Sequence, residues 1–154
     1  MKLRLNNVRL AFPNIFEPQV SDDGKSSYGA ALLMDPNDPQ VKAINAAIEA
    51  VAKEKWTSKA DVMLKQIRAA DKTALHNGDT KAQYAGFEGT MFVSARNPVR
   101  PTALDADKTP LQATDGRIYA GCYVNAVLEF WTQDNKFGKR VNATLMGVQF
   151  FRDG

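Results

Sequence analysis

A chain of 154 residues with 44% hydrophobic content is of the size of one compact domain with a core of its own. Its 20 Lys and Arg against 17 Asp and Glu leave a net charge of only +3, so bulk charge does not identify a polyanion partner, although a sequence pI near 9.0 permits one. The opening MKLRLNNVRL alternates charged and apolar residues where a leader would be apolar, no apolar run nears the roughly 18 residues of a membrane span, and Cys122 is the single cysteine. These features predict an unexported protein of a reducing cytoplasm, without a disulfide framework and without a membrane partner.

KLRLNNVRLAF (2–12) alternates with period two and predicts a first strand that stops at Pro13. Pro18 and Asp23-Gly24 supply turn chemistry before YGAALLM (28–34), a second strand. The period then changes. Val41, Ile44, Ala47, Ile48, Val51, Ala52 and Lys55 recur at helical spacing, with Asp38 as N-cap and Pro39 at the first helical position. A second helix is expected over about 59–70, with Val62, Met63 and Ile67 on its apolar side and a capping box from Ser58 to Asp61. Residues 71–88 lack periodicity and read as loop, TMFVSAR (90–96) as a third strand, and 97–116 as a long, proline-containing surface loop.

The chain closes with two long strands, about 117–133 and 138–152. In the first, Cys122, Val124, Ala126, Leu128 and Phe130 form an apolar side and Tyr123, Asn125, Val127, Glu129 and Trp131 a mixed one. Pairing Gln133 with Gly138 sets Phe130 opposite Val141, Leu128 opposite Ala143 and Trp131 opposite Arg140, consistently on both faces. About five strands with a helical insertion near 38–70 suit a single mainly β domain over 1–154, a five-stranded barrel of the oligonucleotide/oligosaccharide-binding (OB) type; an open α+β sheet is the competitor.

No catalytic constellation emerges. The lone histidine, His76, lies in a polar loop, one Cys and one His cannot ligate zinc, and neither a calcium loop nor a phosphate loop is complete. The acids Asp105, Asp107, Asp115, Glu129 and Asp134 are too scattered for a two-metal centre. No cofactor is expected. What remains is a surface of the kind that binds unpaired nucleic acid, where aromatic faces stack bases and cations meet phosphates. Its candidates are Tyr123 and Trp131 for stacking, Asn125 and Asn142 for hydrogen bonds and Arg140 for a phosphate or a cation–π contact. Lys136 and Lys139 at the last turn, Arg96 and Arg100 after the third strand, Arg117 and Tyr119 before the fourth, and Tyr28 complete the set. The competing reading packs Tyr123 and Trp131 beneath the helices and leaves the cations as ordinary solubilising charge.

The segments NVRLAFPNIFEP, YGAALLM, YAGCYVNAVLEFW and FGKRVNATLMGVQFFRDG, in this order and over nearly the whole chain, resemble a family of single-stranded DNA-binding proteins of tailed phages, first described as a domain of unknown function. The resemblance implies an OB-fold, similar to the helix-destabilising protein of T-odd phages, and a non-enzymatic, sequence-independent protein that coats single-stranded DNA in phage replication or recombination within the host cytoplasm. It also implies replication partners recruited through an acidic tail, which the closing FFRDG does not supply, and leaves room for self-association along DNA. A metal-dependent nuclease or recombination accessory protein, and a structural phage component, stand as alternatives.

Overall fold

The computed structural model describes residues 1–154. Its strands, in chain order, are β1 (Lys2–Val20), β2 (Ser26–Met34), β3 (Leu75–Asn77), β4 (Met91–Asn97), β5 (Thr102–Leu104), β6 (Tyr123–Asn135) and β7 (Gly138–Arg152); α1 (Pro39–Trp56) and α2 (Ala60–Ala69) lie between β2 and β3. Antiparallel ladders join β4 to β2, β2 to β1, β1 to β6 and β6 to β7. One parallel contact, Arg96 with Thr144, returns β4 to β7 and closes five strands into the expected OB barrel. Along this thin seam β3 extends β4, and β5 extends β7 in parallel.

The barrel interior follows from the period-two patterns. Leu5, Val8 and Leu10 of β1, Leu32 and Met34 of β2, Val93 and Ala95 of β4, Val124 to Phe130 at alternate positions of β6, and Val141, Ala143 and Leu145 of β7 are buried together. Cys122 belongs to this core, and burial pushes its thiol above the ordinary range, so it stays protonated and unreactive. The helix α1 begins where its cap dictates, with the Asp38 carboxylate accepting from the Gln40 backbone N–H and Pro39 opening the helix. Ile44, Ala47, Ile48, Val51 and Ala52 then join the barrel core. Trp56 ends the helix buried, and its indole N–H donates to Asp134 of β6 at 3.0 Å, fastening the helical insertion to the last hairpin.

Several expectations are corrected. β1 does not stop at Pro13: it turns at Asn7 and Phe12, both at positive φ, and continues to Val20, because Pro13 costs only one donor on a strand whose pairing is already broken there by a register shift. No capping box opens α2; Thr57–Lys59 form a single 3-10 turn and no side chain caps the helix. Its buried side is Ala60, Leu64 and Ile67, with Val62 left exposed, and Lys55 likewise points away from the core side of α1. The loops expected over 71–88 and 97–116 each contribute a three-residue strand, β3 and β5, too short to show a period. Residues 117–122 are irregular, so β6 starts at Tyr123. The hairpin register is also different. Asn135 pairs with Gly138 across a two-residue turn, which sets Trp131 opposite Asn142, Phe130 opposite Ala143 and Gln133 opposite Arg140. From the turn to Leu128 the shift is two residues, which keeps these side chains on their assigned faces and is why periodicity could not detect it; a bulge between Val127 and Leu128 then moves the pairing by one more.

Candidate nucleic-acid interface

The weak β4–β7 seam opens outward into a cleft of about 490 Å³. Arg96 and Ser94 of β4 form one wall; Trp131 and Gln133 of β6 with Arg140, Asn142 and Thr144 of β7 form the other. Pairing sets the arrangement: Arg96 lies beside Thr144, which Glu129 faces from β6, and the Asn142–Trp131 pair forms the next outward row, so residues of three strands line one cleft. Trp131 donates its indole N–H to the Thr144 hydroxyl at 3.0 Å, which holds the ring by its edge while the residue stays 44% exposed. Asn142 donates to Gln133 at 3.0 Å. Arg96 and Arg140 are exposed and form no ion pair, so both guanidinium groups are free to meet an anion.

A second cleft of about 350 Å³ continues from the first, sharing Ser27, Ser94 and Arg96 with it. Tyr28 lines it together with an aromatic group on the outer face of the sheet. Phe87 and Phe92 bury themselves there with Ala31 and Leu33. Against them stand Phe12, edge-on to Tyr84 at 5.0 Å, and Lys81, whose ammonium lies 5.8 Å from the Tyr84 ring. Phe12 is 46% and Tyr84 43% exposed. Sequence reasoning passed over Tyr84 and Lys81 because their loop has no period; the Lys-x-x-Tyr spacing ahead of Gly86 was the available signal. Phe87 thus packs on the sheet's outer face, apart from the main core cluster that holds the two helices.

The predicted residues therefore divide. Trp131, Arg140, Asn142, Arg96 and, in the adjoining cleft, Tyr28 come together. Lys136 and Lys139 stand at and beside the β6–β7 turn, Lys139 paired with Asp134 at 3.7 Å. Tyr123 and Asn125 lie toward the other end of β6, roughly 26 Å and 20 Å from Trp131 at about 3.3 Å per residue. There the Arg152 guanidinium covers the Tyr123 ring at 3.7 Å, and Asn125 accepts from the Asn7 backbone N–H at 3.0 Å. Arg117 is paired with Asp105 at 3.1 Å and lies over Phe150; Tyr119 donates to Asp153, which holds its phenol above the ordinary pKa; Arg100 covers Phe16 at 5.4 Å. These five residues are occupied by partners within the chain.

The acids do not converge. Asp105 engages Arg117, Asp134 accepts from Trp56, and the Thr109 hydrogen bonds hold Asp107 below the usual carboxylate range, while no three His, Cys, Asp or Glu side chains stand close enough to share a metal ion. His76 lies not in a loop but on β3, at the rim of the larger cleft, with its Nδ1 2.8 Å from Asp71 and its ring against Phe92.

Comparison with known proteins bears on this arrangement. The chain is 46% identical over 158 aligned residues to the putative protein p50 of Acyrthosiphon pisum secondary endosymbiont phage 1, covering 100% of this chain and 85% of that one. The structure of the single-stranded DNA-binding protein of bacteriophage Enc34 in complex with ssDNA superposes with a TM-score of 0.85 at 30% identity, over 99% of this chain and 87% of that one. The gp2.5 single-stranded DNA-binding protein of bacteriophage T7 shares the fold, with a TM-score of 0.65 at 10% identity over 99% and 92% of the two chains. The model of the Enterobacter phage Enc34 ssDNA-binding protein family matches residues 1–154 from end to end, and the chain belongs to that family.

Proposed function

We propose that the chain is a non-enzymatic, largely sequence-independent single-stranded DNA-binding protein that coats exposed strands and removes their secondary structure during phage DNA replication and recombination in the host cytoplasm. The observation that carries this reading is the seam cleft, which an edge-held Trp131 lines together with two unpaired guanidinium groups, Arg96 and Arg140. A stacking face with flanking cations is what an unpaired strand requires, since every base has a π-face and every nucleotide a phosphate. Tyr28, Asn142 and the aromatic group around Tyr84 extend the track along the sheet. Such binding needs no chemistry: preferential affinity for the unpaired state draws the melting equilibrium toward single strands.

Titration of a fluorescent oligo-dT at two salt concentrations tests it. Tight binding at low salt, weaker binding at high salt and poor binding to duplex are expected, and equal affinity for duplex would overturn the reading. Incubating circular single-stranded DNA with magnesium or manganese addresses the nuclease alternative, which predicts loss of the circle.

A further inference from the structure

The tip of the β6–β7 hairpin carries Phe137, at 76% the most exposed large apolar side chain of the chain. It is one of only two turn residues, between Asn135 and Gly138. The surroundings are cationic: the Lys136 ammonium lies 5.1 Å from the Phe137 ring, Lys139 follows on β7, and the Lys72 ammonium approaches Gly138 so closely that a Cβ there would sit 3.9 Å from it. The hairpin beneath the tip is braced, because Asp134 accepts from Trp56 and pairs with Lys139. It is also placed at the end of the candidate track: Arg140, in the cleft, lies three residues from Phe137, about 10 Å at strand rise. A braced support and a largely exposed apolar ring with the ammonium groups of Lys136 and Lys72 close by suit the end of a duplex, whose terminal base pair presents an apolar face between two phosphate backbones.

We propose that Phe137 is a wedge that inserts at the junction between single- and double-stranded DNA and unstacks the first base pair, so that strand opening has an active component beyond trapping of unpaired DNA. This rests on the single-stranded DNA reading above. A ring entering the stack offsets part of the cost of opening a base step by replacing the lost base contact.

The test compares wild type, Phe137→Ala and Phe137→Trp on two probes: a fluorescent oligo-dT, and a tailed DNA hairpin with 2-aminopurine in its terminal base pair. Because Phe137 is outside every core cluster, all three proteins should share one melting temperature. Phe137→Ala is expected to bind oligo-dT within twofold of wild type yet, at equal occupancy of the tail, to lose at least fivefold of the 2-aminopurine unstacking signal, with Phe137→Trp restoring it. An unchanged signal in Phe137→Ala overturns the wedge. Parallel losses on both probes overturn it too, by making Phe137 an ordinary base-stacking platform. Failure of wild type to bind oligo-dT overturns instead the reading on which the wedge rests.

Discussion

Trp131 and Tyr123 sit on the same face of one strand, yet their neighbours give them different work. Trp131 is held by its indole N–H and shares a cleft with the unpaired Arg96 and Arg140; Tyr123 is half-buried and already stacked by Arg152. Trp131→Ala should therefore weaken oligo-dT binding by about 1–3 kcal/mol, roughly 5- to 150-fold, with an unfolding free energy lowered by less than about 1 kcal/mol. Tyr123→Ala should show the reverse, a lower melting temperature with oligo-dT affinity within about twofold of wild type. Parallel thermal melts and anisotropy titrations of the two variants check both. A further residue-scale expectation concerns Asp134, whose carboxyl is held below the ordinary range first by the Trp56 N–H and then by Lys139 and Lys55. A carboxylate with a depressed folded pKa stabilises the protein above its unfolded value near 3.9, and that contribution is lost as pH falls through the folded value. Trp56→Phe removes the largest cause, so its stability deficit should be full at neutral pH and shrink below about pH 4, which acid unfolding curves of the two proteins would reveal.

The β2–β4 ladder positions Arg96, and its close approach depends on Gly29. A Cβ at Gly29 would meet the Ala95 carbonyl oxygen at 2.7 Å and the Arg96 Cγ at 3.2 Å, where the contacts are mostly backbone and cannot yield. Gly29→Ala should therefore spread the ladder, lower the melting temperature and weaken oligo-dT binding together, whereas Arg96→Ala should weaken binding alone. The elements also show what period-two patterning can and cannot reveal. The inner face of β6 and the helix α1 were legible because burial repeats along them at the period of the element. β3 and β5 were not, because three residues carry no period and both exist only as additions to strands assembled from elsewhere in the chain. The hairpin register escaped for a related reason: shifts by two preserve the faces, and only the length of the turn distinguishes them.

For the whole molecule, formal charge understates the candidate track. The net +3 averages over cations already paired to acids, such as Arg117 and Lys139, and cations that are free, such as Arg96 and Arg140. Oligo-dT affinity should fall linearly in log–log form with salt, and Arg96→Ala and Arg140→Ala should each make the slope shallower by about 0.7, the value for one phosphate of a single strand. Arg117→Ala should leave the slope unchanged, since Asp105 already neutralises that charge; titrations across a salt series would separate the three. From the sequence alone follow the alternation that closes a five-stranded barrel, the capped helix between its second and third strands, the absence of a catalytic constellation and the family resemblance, all of which depend on residue order along the chain. The tertiary structure decided which outward residues share a cleft. Arg96 and Trp131 line one cleft only because β7 is sandwiched between β4 and β6, and Tyr123, eight residues along the same strand, is removed from them by the rise of the strand itself. Periodicity assigns a side chain to a face; only the closure of the barrel brings the faces of distant segments side by side.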